Sequence, residues 1–291
     1  MNLVQSHLDS LEPPVGDVSR RIFMAGGLAA GFALATLPVS AQTISTDSNG
    51  LTVGEVRIPV ADGSIPGYRA MPAEGGPFAT VLVVQEIFGV HEHIKDICRR
   101  LAKLGYFAVA PALYAREGDV SQMTSGQEII ENVVSKVPEP QVATDLDSTA
   151  AWAGSTGKAD LNRLGVTGFC WGGRQVWLYA AHNPKLKAAV AWYGLLKWPR
   201  GPNSAVDPID LVPQLDVPVL GLYGGQDAGI PMDQIQAMQA ALKAAGKPSE
   251  ILVYPDAGHG FNADYRPSYR PVDAKDAWQK MLAWFAQHGV A

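Results

Sequence analysis

Cysteine is scarce in this chain: Cys98 and Cys170 are the only two among 291 residues. Two cannot build a disulfide framework, and the lack of a Cys-x-x-Cys pair argues against a thiol-redox protein. Charge is also sparse, with 18% charged residues, 28 acidic against 23 basic, for a net charge of −5. Lysine and arginine form no cluster, so the electrostatic footprint that a nucleic acid requires is missing. The 30 glycines and 21 prolines follow no period, which removes fibrous classes. A Ser/Gly-rich linker, an internal repeat and a glycine-rich phosphate loop are likewise missing, so no flavin, nicotinamide or other cofactor is expected. What the chain does have is apolar: 47% hydrophobic residues can bury a large core.

The segment Ser19-Arg20-Arg21-Ile22-Phe23-Met24 sets two adjacent arginines before an uncharged run over residues 22–41, rich in Ala and Gly and ending Val39-Ser40-Ala41. Positive charge, a modest apolar stretch and small residues at −3 and −1 of a cleavage point resemble a twin-arginine export signal. The run is long enough to span a bilayer but only weakly hydrophobic, so cleavage rather than anchoring is expected. Residues 1–41 then form the signal and residues 42–291 a single domain. The expected destination is the periplasm or the medium of a bacterium, with no stable membrane association.

From residue 51 onward, strand-like and helix-like pieces alternate. Residues 52–60 and 65–71, separated by Asp62-Gly63, read as a hairpin. Residues 79–85 form a continuous apolar run of the kind buried on both faces of a parallel sheet. Further strands are expected over residues 107–110, 164–167, 188–192, 217–222 and 250–254. Helices are expected over 93–104, 142–152, 173–182, 233–245 and 274–287. Repeated β-then-α units predict an α/β fold, a mostly parallel sheet with right-handed crossovers and helices on both faces. Such a sheet carries its chemistry in loops at the carboxyl ends of its strands.

One of those loops holds Gly168-Phe169-Cys170-Trp171-Gly172-Gly173, the nucleophile-elbow pattern G-x-S-x-G with cysteine in the serine position. The turn strains its central residue, and strand and helix approach so closely that flanking side chains would collide. A cysteine there sits at a helix amino terminus, where the dipole favours thiolate and the Trp171 N–H can face an oxyanion. The competing interpretation is a buried cysteine packing as a small hydrophobe. Two later positions tip the balance. Asp227, in Gly224-Gly225-Gln226-Asp227, and His259, in Asp256-Ala257-Gly258-His259-Gly260-Phe261, each follow a strand. Nucleophile, acid, histidine is the chain order of an α/β-hydrolase triad. Asp256 also follows a strand but lies only three residues from His259 and occupies no acid-loop position.

These segments, with Val83-Val84-Gln85-Glu86-Ile87-Phe88-Gly89 and Ala112-Leu113-Tyr114-Ala115-Arg116, resemble the landmarks of the dienelactone hydrolase (carboxymethylenebutenolidase-like) family in their order along the chain. The resemblance implies an α/β-hydrolase fold and Cys170 as nucleophile, with Asp227 and His259 completing the triad. It implies Ile87 N–H as oxyanion donor beside Trp171 N–H, Glu86 in contact with the resting thiol, and Arg116 holding a substrate carboxylate. The chain departs from the pattern where a second carboxylate-binding arginine follows the catalytic histidine; Arg266 and Arg270 are the nearest replacements. The implied activity is hydrolysis of a small-molecule lactone or activated ester through a thioester, in a monomer or small homo-oligomer. The rivals are a general carboxylesterase and a non-catalytic small-molecule-binding protein on the same scaffold.

Three smaller features complete the reading. His91-Glu92-His93 lacks a third ligand at metal spacing, so no metal is expected and the motif is assigned to helix capping and surface. Cys98 falls on a helix with a buried apolar role, and both cysteines are expected to stay reduced. Trp171, Trp192, Tyr193 and Trp198 are candidates to line the acyl pocket or simply to fill the core.

Overall fold

Leu51–Val60 (β1) and Gly63–Pro72 (β2) form the expected hairpin, with Val60 opposite Gly63 across a two-residue turn. They open a computed structural model in which residues 43–123 and 125–291 are described. The twin-arginine segment lies outside the described residues. Six more strands follow: Phe78–Val84 (β3), Phe107–Pro111 (β4), Ala159–Phe169 (β5), Ala188–Trp192 (β6), Val219–Gly224 (β7) and Glu250–Tyr254 (β8). They make one eight-stranded sheet in the order β1-β2-β4-β3-β5-β6-β7-β8, with β1, β2 and β4 paired antiparallel and all other neighbours parallel. The α/β architecture is the one expected from the alternating pattern.

The helices are Glu92–Lys103 (α1), Gly126–Asn132 (α2), Glu139–Ser155 (α3), Trp171–His182 (α4), Met232–Ala244 (α5) and Pro271–Gln287 (α6). Proline in the first turn of α3 and of α6 explains why both begin before the expected residues 142 and 274. Short 3₁₀ turns occupy Val134–Lys136 and Pro208–Gln214. Among the described residues no helix is long and apolar enough to cross a membrane.

Sequence order reverses direction across the sheet at β3. From β3 the chain crosses to β4 on one side, then returns to β5 on the other. A crevice opens at the carboxyl ends of strands where such a reversal occurs. β3 runs straight into Gln85-Glu86-Ile87 and β5 straight into Cys170, so both landmark segments lie at that end of the sheet. All five residues of β6 and all six of β7 are buried, the double-sided burial that their continuous apolar runs require.

Candidate active site

Cys170 sits between β5 and α4 with φ 57 and ψ −118, a left-handed conformation that non-glycine residues rarely adopt. The glycines around it explain how the turn closes. A Cβ on Gly172 would stand 2.4 Å from the Gln85 carbonyl oxygen, and one on Gly173 would stand 2.5 Å from that of Trp192. Only hydrogen fits, so α4 starts in contact with the end of β3 and the end of β6. That contact brings the first amides of α4 beside the turn at Glu86–Gly89, which is closed by Gly89 N–H to the Glu86 carbonyl at 3.3 Å.

Two further loops converge on the sulfur. Gly224 packs on the Ala257 carbonyl, and Gln226 N–H donates to that same oxygen at 2.8 Å, so the acid loop after β7 and the histidine loop after β8 are one unit. Asp227, its side chain fully buried, accepts from Gly229 N–H at 2.9 Å through Oδ1 and from His259 Nδ1 at 2.7 Å through Oδ2. The imidazole also engages Cys170 by charge and hydrogen bond. Burial of the ring opposes protonation, but the Asp227 carboxylate and then Cys170 overcome it and lift the His259 pKa from 6.5 to about 10. Such an imidazole holds a proton at neutral pH.

The sulfur is not open to solvent. Cys170 is 1% exposed, whereas the His259 side chain is 17% exposed and forms the accessible edge of the trio. Tyr114, Tyr193 and Arg266 all sense the charge at Cys170. Cys98 and Cys170 are both free, and burial raises the Cys98 thiol far above its ordinary range, which keeps it protonated.

Glu86 is fully buried at the end of β3, where an isolated carboxylate would be costly. Tyr265 Oη donates to its Oε2 at 2.5 Å, His91 Nε2 contacts the same oxygen at 3.2 Å, and Arg266 Nη2 lies 3.5 Å from Oε1. Arg266 Nε in turn donates to Tyr265 Oη at 3.0 Å, and its guanidinium lies over the Phe88 ring, 4.9 Å from the centroid. Burial alone would raise the Glu86 pKa; Arg266, then His91, hold it well below the usual carboxylate range. The partners of Glu86 are thus Tyr265, His91 and Arg266, where the resemblance implied the resting thiol. His259 takes that place beside the sulfur.

Two further residues or motifs also depart from expectation. Arg116 is not joined to this cluster: its guanidinium bridges Asp145 on α3 and, at 2.8 Å, Asp62 of the hairpin turn. Two carboxylates within reach of one planar fork leave it anchored between α3 and the hairpin. The capping and surface assignment of His91-Glu92-His93 holds only for Glu92, whose side chain is exposed. His91 occupies the N-cap of α1 without capping it and turns inward to Glu86, with burial lowering its pKa so that the neutral ring can donate. His93 is 1% exposed and pairs with Asp264 at 3.1 Å, an aspartate that Arg100 also binds. Arg100 Nε reaches Asp96 at 2.6 Å, so this buried chain fixes the segment 264–266 against α1.

The profile of the dienelactone hydrolase family matches residues 65–289, nearly all of the sheet and all four converging loops. The chain belongs to the dienelactone hydrolase family. A family relative from Methylorubrum extorquens, provisionally named a carboxymethylenebutenolidase, is 63% identical over 278 residues, covering 94% of each chain. Another of that provisional name, from Escherichia coli K12, is 52% identical over 267 residues, covering 91% of this chain and 98% of its own. A crystal structure from Klebsiella pneumoniae, provisionally described as a dienelactone hydrolase, superposes with a TM-score of 0.80 at 55% identity, covering 81% of this chain and 99% of the other. As a dienelactone hydrolase family member with relatives this similar, the chain is a hydrolase.

Sequence reasoning on the family landmarks missed Tyr265 and His91, and reached Arg266 only as a replacement for a missing arginine. Tyr265 and Arg266 lie on a loop whose path depends on buried contacts far apart in sequence, the Arg100–Asp264 ion pair (164 apart) and the Tyr265–Glu86 hydrogen bond (179 apart), whereas His91 is only five residues from Glu86.

Proposed function

We propose that this protein hydrolyses a small lactone or activated carboxylic ester, with Cys170 as nucleophile, His259 as proton carrier and Asp227 as the group that orients His259. The reading rests above all on one observation, the strained cysteine at the head of α4 in hydrogen-bonding contact with a histidine that a buried aspartate grips at 2.7 Å. The Cys170 thiolate adds to the carbonyl carbon, and the oxyanion is received by the Ile87 and Trp171 N–H groups. Collapse breaks the carbon–oxygen bond of the ester; His259 gives its proton to the departing oxygen and a thioester remains. Water then adds to the thioester, losing a proton to His259, and the thiolate leaves as the acid is released.

A thiolate suits esters with stabilised leaving groups such as enolates and is a poor choice for amides. Arg266, buried, charged and in electrostatic contact with Cys170, replaces Arg116 as the cation that receives a substrate carboxylate. Because the sulfur is 1% exposed, substrate enters past the His259 edge as neighbouring side chains give way. Removal of residues 1–41 on export to the periplasm belongs to the same proposal. The test is pre-steady-state kinetics with p-nitrophenyl acetate: the account expects a burst of one equivalent per protein, absent in Cys170→Ala. Full turnover by Cys170→Ala would refute it.

A further inference from the structure

Tyr193 follows β6 and shares with Cys170 a feature found in no other non-glycine among the described residues, a positive φ, here 38. One backbone bond ties the two segments together, Cys170 N–H donating to the Trp192 carbonyl at 3.0 Å, and another holds Tyr193 to β7, its N–H donating to the Leu222 carbonyl at 2.8 Å. A bulky side chain disfavours this backbone region, so the surroundings must impose it. The ring is 0% exposed, edge-on to His259 at 5.2 Å and wedged against Phe261 at 5.5 Å.

Its hydroxyl is the anomaly. Tyr193 Oη is buried and makes no hydrogen bond, although buried hydroxyls nearly always do. The groups it senses are Glu86, Arg266, Tyr265 and Cys170, so the oxygen faces the catalytic cluster rather than the core. Burial, then Glu86, push the phenol well above its usual pKa of 10, and it remains a donor. Arg266 Nη2 and Glu86 Oε1 in the same cluster also lack a well-formed hydrogen bond. An unmet donor on a strained residue destabilises the free protein, and a ligand oxygen would meet its need.

We propose that the Tyr193 hydroxyl is a substrate-binding group that donates a hydrogen bond to an oxygen of the acyl part, selecting with Arg266 for lactones or esters whose acyl part carries a carboxylate near the scissile carbonyl. The inference rests on the hydrolase reading above. No proton changes owner; the phenol binds and positions.

Tyr193→Phe, in the full chain, removes the hydroxyl and keeps the ring. With a carboxylate-bearing γ-lactone, the loss in kcat/KM is expected mainly in KM and about 10-fold larger than the loss with p-nitrophenyl acetate. The melting temperature should hold or rise, because no hydrogen bond of the free protein is lost. Equal losses on both substrates, no loss on either, or a lowered melting temperature with equal losses would overturn the proposal. Calorimetric binding of the product acid to Cys170→Ala, with and without Tyr193→Phe, reads the hydroxyl without turnover. A Kd about 10-fold weaker in the double variant supports the role, and an unchanged Kd or absent binding in both sinks it. Turnover retained by Cys170→Ala, by contrast, defeats the nucleophile assignment and leaves this binding result to be judged separately.

Discussion

Replacing Asp227 by asparagine tests how the site keeps a charged imidazole beside sulfur. The carboxylate contacts His259 Nδ1 at 2.7 Å with no solvent on its own side chain, so little screens it. The gap between 6.5 and about 10 corresponds to on the order of 5 kcal/mol of preference for imidazolium over the neutral ring, net of burial. Asp227 is the foremost of the groups that overcome burial, so its loss lets desolvation prevail and the His259 pKa falls. A raised pKa gives stability that is fully present below about 6.5 and lost as pH rises towards 10. Wild type should therefore exceed Asp227→Asn in unfolding free energy by a few kcal/mol at pH 6, the margin shrinking as pH approaches 10. Cys170 alkylation by iodoacetamide at pH 7 should slow by about 10- to 100-fold in the variant, and ester turnover should fall by about 10²- to 10⁴-fold. Chemical denaturation across pH, with alkylation followed by mass spectrometry, provides both readouts. An Asp227→Asn protein with an unchanged alkylation profile and an unchanged stability margin would refute the reasoning.

Glu86→Gln strands the buried Arg266, a loss of about 3–5 kcal/mol at neutral pH. Because the Glu86 pKa is depressed, that margin is present above about pH 4.5 and fades as pH falls below it, which urea titrations at pH 7 and pH 3.5 can check. Gly172→Ala sets a Cβ 2.4 Å from a backbone oxygen that cannot swing away; a melting temperature lowered by at least about 4 °C is expected by calorimetry. Arg116→Ala should leave KM for a carboxylate-bearing lactone within about 2-fold while Arg266→Ala raises it about 10-fold or more, since Arg116 is committed to Asp145 and Asp62. A KM that responds to Arg116 instead would restore it as the substrate cation.

The hairpin, the buried parallel strands and the elbow were legible because each is a local pattern: alternation, an apolar run, or glycines at fixed offsets. β5 was expected over residues 164–167 but extends over Ala159–Phe169, because its first residues pair with β3 across a register shift at Ala79/Thr80 that no periodicity in β5 encodes. α2 and the two 3₁₀ turns escaped notice for a related reason. At seven residues or fewer, they show too little periodicity to stand out. In the site, Cys170, Asp227 and His259 could be proposed from chain order, since each follows a strand of one sheet. The partners of Glu86 could not, because Tyr265 and Arg266 reach it only through a loop held by Asp264, Arg100 and His93. Arg116 misled for the converse reason: a sequence match cannot see that Asp145, 29 residues later, captures the guanidinium.

Intact-protein mass spectrometry of enzyme quenched in mid-turnover on a slow activated ester addresses the central claim most directly. The account predicts a mass gain of one acyl group, mapped by proteolysis to the peptide containing Cys170 and discharged by hydroxylamine. An acyl group carried on any other residue, or undiminished hydrolysis by protein whose Cys170 has been quantitatively alkylated, would contradict it.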